Sequence, residues 1–348
     1  MAANIVLFFL WTGVTAYVLL GGADLGAGFW DLLAGSARRG ARQRRRIEQS
    51  IGPVWEANHV WLIFALVVVW TGFPAVFAAI GSTLYIPLMA AAFGIILRGS
   101  AFAFRKMVTE LWQQRIFGAA FALSSVVTPF FLGTVAGAIA SGRVPLGTAR
   151  GDVITSWVNP TSALGGVLAV EVCASLAAVY LTADSRRVGE VDLVDIFRRR
   201  AMLMGALAGV TALAGIAVLH NDAPRLFAGL TGRGQPLIAA TAVAGIVSLV
   251  LLWRRRVVAV RVTAALAVVF VLWGWAVAQY PDVLLGAATV DSAAAPHDVL
   301  VALVWVLSIG TALLLPALFL LYRLSQAPRP LQEPAADEVD AALQGPAV

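Results

Sequence analysis

The sequence predicts an all-α, polytopic integral membrane protein with about nine transmembrane helices, and three observations predict it. Hydrophobic residues make up 60% of the 348, and charged residues only 13%, where a soluble domain carries about a quarter. The apolar residues fall into blocks close to the ~20 needed to cross a bilayer. Basic residues cluster between alternate blocks, the pattern of cytoplasmic loops in membrane proteins. Within hydrocarbon only helices and closed barrels satisfy every backbone N–H and C=O, so the blocks read as helices.

The blocks are 5–33, 54–73, 76–97, 116–140, 160–182, 201–219, 236–253, 260–278 and 299–322. The first is too long for a signal peptide, no basic residue precedes it, and it merges into a full span. Six arginines follow the first block at 38–46. Four basic residues lie at 98–115, five at 186–200, four at 254–261 and two in the C-terminal stretch. Only Arg143, Arg150, Arg225 and Arg233 fall on the other side. This division of 21 against 4 predicts an external N-terminus and a cytoplasmic C-terminus. Residues 1–325 form the membrane domain, and 326–348 read as a disordered cytoplasmic tail rich in Pro, Ala and acids.

The net charge of +6 and pI of about 10.2 do not point to nucleic acid, because the cations sit in short inter-helix clusters. The lone Cys173 lies inside an apolar block, so no intrachain disulfide or zinc pattern is available. Two of the three histidines, His220 and His297, fall in the external loops, and His59 opens the second block. None is mid-span, so the chain is expected to bind no haem and no metal by itself. The tryptophans, eleven in all, read as interface belts and lipid-facing packing.

An ionisable side chain inside a span costs several kcal/mol on insertion scales, about 3 at the helix centre, so each needs a reason. Asp24 lies towards the inner end of the first block. Glu56, Asn58 and His59 open the second, and Glu171 sits near the middle of the fifth. Glu56 and His59 are three apart and share a helix face. A carboxyl beside an imidazole at the depth of Asp24 makes a proton relay from the cytoplasm. The alternative is a set of rim residues wetted by solvent or paired with arginines of the first loop. Glu171 either hydrogen-bonds within the bundle or faces a polar channel. The glycines of Gly21–Gly28 do not make a phosphate loop, for no strand precedes them and no Lys-Ser/Thr follows. Gly22 and Gly26 form a GxxxG spacing for close helix contact.

These residues carry a family resemblance. The stretch 50–62, with Gly52, Pro53, Trp55, Glu56, Asn58 and Trp61, resembles the S-I-G-P-V-W-[D/E]-x-N-x-V-W-L segment of subunit II of cytochrome bd-type quinol oxidases. Asp24-Leu25-Gly26-Ala27-Gly28 is similar to that family's D-L-G-x-G in the first span. Weaker echoes are Trp157–Pro160, Tyr180-Leu181 and Tyr280-Pro281. The resemblance implies a bacterial plasma-membrane subunit that is not catalytic alone. It pairs with subunit I, which carries two b haems, haem d and the quinol site; the complex oxidises quinol and reduces dioxygen to water. It assigns proton entry to the acid at Glu56, matches the first-span aspartate to Asp24, and leaves room for a structural quinone and small accessory subunits. Two positions depart from the family: His59 stands where several members have an acid, and Ala23 where an aromatic often precedes the aspartate. A secondary transporter would instead need broken helices with paired midplane charges. A purely structural scaffold would need no proton path.

Overall fold

The computed structural model describes residues 1–35, 40–51, 55–105, 107 and 110–326. The helices are α1 (Ala2–Leu32), α2 (Ala41–Ile51), α3 (Trp55–Gly72), α4 (Pro74–Thr83), α5 (Tyr85–Arg105), α6 (Leu111–Ala140), α7 (Pro160–Val188), α8 (Val191–Asp222), α9 (Pro224–Thr231), α10 (Gln235–Trp253), α11 (Val257–Gln279), α12 (Val290–Ala293) and α13 (His297–Gln326). A small antiparallel ribbon, β1 (Asp282–Leu284) with β2 (Ala288–Thr289), sits between α11 and α12. Among the described residues eight helices are long and apolar enough to cross a membrane, and nine when the bent pair α3/α4 counts as one span.

Eight of the nine predicted blocks each correspond to one helix of the described residues, and one block is corrected. The third block, 76–97, is not a single helix. Pro74 starts a separate α4 bent 117° from α3, because proline at the first helical position has no N–H to continue the preceding ladder. The helix resumes at Tyr85 and runs on to Arg105. Three predicted loops also hold structure: α2 lies in the first, α9 and the β-ribbon with α12 in two others. The predicted tail lies outside the described residues from 327 onward.

The chain forms two compact units, Met1–Leu307 and Ser308–Val348. In the second, the described part is the end of α13, with Pro316 inside the helix. In the first, α1 packs against α3, α6 and α7, while α5 pairs with α6, α7 with α8, and α10 with α11. One apolar core gathers Val6, Phe73, Leu84 and Leu284 near the start of α1, and a second gathers Trp30, Ala174, Phe197 and Val260 near its end. Large apolar side chains such as Phe8, Phe93, Leu213 and Phe319 remain exposed, as expected where the surrounding medium is lipid or another membrane chain.

Among the described residues, several ion pairs join segments that the charge alternation assigns to the same rim. Arg42 meets Asp192, Arg44 meets Asp31, Arg46 meets Glu190, and Arg261 meets Asp184. At the other rim Arg143 grips Asp222 with two hydrogen bonds of 3.0 and 2.6 Å, and Thr161 donates to the same carboxylate. Asn159, which precedes Pro160, caps α7 by accepting from the Ser162 N–H, the usual geometry of a helix start.

The first-span glycines serve close packing. A Cβ at Gly26 would overlap the backbone carbonyl of Cys173 on α7, and one at Gly22 would press on its Sγ at 3.3 Å. The Trp30 indole N–H adds a 2.8 Å bond to the Ala174 carbonyl. Gly26→Ala is therefore expected to force α1 and α7 apart and cost about 1–3 kcal/mol, as overpacking does. Gly118→Ala, where a Cβ meets open space, should be neutral or stabilising by up to about 1 kcal/mol. Thermal unfolding of the two variants in detergent separates these outcomes.

Candidate functional site

The polar centre of the bundle lies between the two apolar cores, where α1, α3, α5 and α6 converge. Asp24 of α1 is 3% exposed and Arg98 of α5 is 2% exposed. Arg98 Nη2 donates to Asp24 Oδ1 at 2.7 Å and to the Asp24 carbonyl at 2.9 Å. Arg98 Nη1 donates to Ser125 Oγ of α6, and Ser125 in turn donates to the Phe121 carbonyl at 2.7 Å. The guanidinium also stands 4.4 Å from the centroid of the Phe121 ring, a favourable cation–π contact. A charge here is tolerable because Nη1 and Nη2 both find acceptors and Asp24 supplies the opposite charge.

The glycine after Asp24 by four positions makes this possible. A Cβ at Gly28 would overlap Ser125 Oγ and approach Arg98 Nη1 at 2.8 Å. The two glycines of Asp24-Leu25-Gly26-Ala27-Gly28 thus have different tasks. Gly26 admits the backbone of α7, and Gly28 admits the Arg98–Ser125 bond.

His59 of α3 faces the free side of the carboxylate. Its Nε2 is 3.9 Å from Asp24 Oδ2, and that oxygen has no hydrogen-bond partner among the described residues. The Tyr17 ring lies 6.2 Å from the imidazole, and its buried hydroxyl has no hydrogen-bond partner among the described residues. Asn58 is buried on the same helix as His59, and so is Trp61, whose ring meets Phe64 edge-on. Backbone spacing places Glu56 one helical turn before His59. Gly52 and Pro53 lie outside the described residues, as do the side chains of Trp55 and Glu56.

Glu171 does not join this centre, and neither does Asp31 of α1, which pairs with Arg44 of α2 at 3.4 Å. Glu171 of α7 accepts from Thr211 Oγ1 of α8 at 3.0 Å, and its other carboxyl oxygen has no hydrogen-bond partner among the described residues. Cys173 is buried against α1. His220 and His297 are exposed at helix ends, and among the described residues no group of three or more His, Cys, Asp or Glu is placed to hold a metal ion.

Arg98 is the residue that sequence reasoning misplaced. The charge alternation counts it with the cytoplasmic loop after the block that ends at residue 97. The helix instead continues to Arg105, and the guanidinium turns inward to Asp24. The signal was the apolar run after it, Ala101 to Phe104, which a wetted loop has no reason to carry. Tyr17 carried no sequence signal beyond its place in an apolar block.

The model of the cytochrome bd terminal oxidase subunit II family matches residues 2–325. The chain is 28% identical over 222 residues to the cytochrome bd ubiquinol oxidase subunit 2 of Bacillus subtilis, covering 61% of this chain and 63% of that protein. It is 28% identical over 228 residues to the cytochrome bd-I ubiquinol oxidase subunit 2 of Escherichia coli K12, covering 61% and 58%. The alignment thus spans about three fifths of the length of these curated relatives. The bd oxidase structure from Geobacillus thermodenitrificans shares the fold, with a TM-score of 0.71 at 23% identity over 93% of this chain and 98% of that one. The long apolar helices and bacterial relatives mark a multi-pass protein of the bacterial plasma membrane. With the family model matched along nearly all its length, this chain belongs to the cytochrome bd terminal oxidase subunit II family.

Proposed function

We propose that the chain is the haem-free subunit of a quinol:oxygen oxidoreductase, paired with a haem-bearing subunit I, and that its polar centre passes protons from the cytoplasm towards the site of dioxygen reduction. The N-terminus is then external and the arginine-rich rim cytoplasmic. Haems b and d, the quinol site and the oxygen chemistry belong to the partner. A structural quinone and small accessory subunits are compatible with this arrangement. The observation that carries the proton reading is Asp24, a carboxylate buried among four helices with one oxygen held by Arg98 and the other turned to His59.

The roles follow from position. Glu56, near the start of α3, receives the proton at the cytoplasmic side. His59, one turn further on, can take a proton on one ring nitrogen and release it from the other. Asp24 Oδ2 is the next acceptor, with a water bridging the 3.9 Å gap to the imidazole. Asn58 is a polar neighbour able to orient such a water. Arg98 fixes the carboxylate and sets the local positive potential. A structural reading is favoured by one fact: Arg98 ties α1, α5 and α6 together through Asp24 and Ser125, which a scaffold would also use.

Turnover separates the two. In the assembled oxidase, Glu56→Gln and Asp24→Asn should each slow oxygen reduction by about tenfold or more, the scale of a lost proton-transfer group, with the KM for quinol unchanged. Glu56→Asp should be mild. Undiminished turnover in Glu56→Gln and Asp24→Asn, with assembly intact, would leave only the scaffold role. Expressed without its partner, the chain should show no haem absorption. A stoichiometric haem spectrum would remove the division of labour between the subunits.

A further inference from the structure

We infer that Tyr17 is a positioning residue of the polar centre: its hydroxyl is the hydrogen-bond partner of Asp24 Oδ2, donating to the charged carboxylate and accepting from the protonated one. This rests on the proton reading and adds to it a residue that the reading leaves unused. Two buried atoms carry the inference. Asp24 Oδ2 and the Tyr17 hydroxyl are each closed off, and each lacks a hydrogen-bond partner among the described residues. A buried polar group left so is costly, and one bond between these two removes both costs. They are chemically matched, for a phenol donates and accepts while an ionised carboxyl only accepts. No solute has to enter, since both partners belong to the bundle.

The backbone aims the phenol at that oxygen. Tyr17, Gly21 and Asp24 are four and seven residues apart on one face of α1. Helical side chains ordinarily lean towards the N-terminus. The Tyr17 ring instead lies across Gly21, where a Cβ would meet its Cε2 at 2.7 Å and its Cδ2 at 2.9 Å. The rise from residue 17 to residue 24 is about 10.5 Å, a gap that a phenol leaning forward and a carboxyl leaning back close between them. Asp24, Arg98 and Cys173 all lie within electrostatic reach of the hydroxyl, and the His59 ring is 6.2 Å away at a tilt of 47°. Arg98 holds Oδ1, so the carboxylate cannot turn away and only the phenol has to swing.

The bond gives the transfer a direction. While Asp24 is charged, the Tyr17 O–H points at Oδ2. When protonated His59 gives up its Nε2 proton to Oδ2, the imidazole is left neutral and the new carboxyl O–H donates to the Tyr17 oxygen. The hydroxyl only rotates, and no covalent bond to it is made or broken. The received proton is thereby turned away from His59, which hinders its return. Phenylalanine would fill the same space and could do none of this.

The test compares variants in the assembled oxidase, with oxygen consumption measured in light and in heavy water. Tyr17→Phe keeps the ring on Gly21 and removes only the hydroxyl. It should lower kcat about fivefold, the worth of one hydrogen bond, and enlarge the solvent isotope effect. The KM for quinol, the haem content and the thermal midpoint should stay as in the wild type. Added to Asp24→Asn, it should slow turnover no further. Wild-type kcat and isotope effect in Tyr17→Phe, beside a slow Asp24→Asn, overturn the Tyr17 role and leave the proton reading standing. Wild-type turnover in Asp24→Asn removes both. A loss in Tyr17→Phe that multiplies the loss in Asp24→Asn also overturns the role, because the hydroxyl then acts elsewhere. Where Asp24→Asn does not assemble, Glu56→Gln gauges the proton reading and Tyr17→Phe alone decides the role of its hydroxyl.

Discussion

A carboxylate and a guanidinium inside a membrane protein can persist only together. Asp24 and Arg98 each leave water completely, and either one alone would be an uncompensated charge in a medium that cannot solvate it. Their bond therefore dictates much around it. It requires α1 and α5 to approach at one level, it requires Ser125 on α6 to take the second guanidinium nitrogen, and it requires a residue without a side chain at Gly28. The apolar cores flank this centre, and among the described residues His59 stands at the unbonded oxygen of Asp24 with Tyr17 beside it. The site is a consequence of how the helices had to pack around one ion pair.

The rims follow a different logic. Exposed pairs such as Arg42 with Asp192 contribute little individually, because water competes for both partners. Arg143 with Asp222 and Thr161 is a stronger case, a bidentate grip that joins three helix ends. Taken together, the rim pairs define two faces of the molecule by contact, independently of any count of basic residues.

Most of the architecture was legible in the sequence because lipid leaves few choices. Eight of nine apolar stretches became single helices, and the Gly22–Gly26 spacing became the α1–α7 contact. The failures have physical causes. A periodic apolar run cannot reveal the 117° turn at Pro74, since α4 is as hydrophobic as a span. Counting Arg98 with the loop cations misassigns it, because a buried partner 74 residues away holds it inside the bundle; the apolar run Ala101 to Phe104 marks the helix but not that partner. Asp24 and His59 were found from depth and helix spacing. Their company was not, for Tyr17, Ser125 and Phe121 become site residues only once α1, α3, α5 and α6 are assembled.

The contact of Gly26 with the Cys173 carbonyl has a bearing on how such a centre could be controlled. Two backbones in van der Waals touch, with an indole hydrogen bond one turn further along, act as a keyed shaft: α1 cannot slide or rotate against α7 without a collision. Asp24 rides on that shaft. Its carboxylate is consequently a fixed station, and on the proposed proton reading any valve on traffic past it would have to reside in a ring that swivels or in solvent that comes and goes.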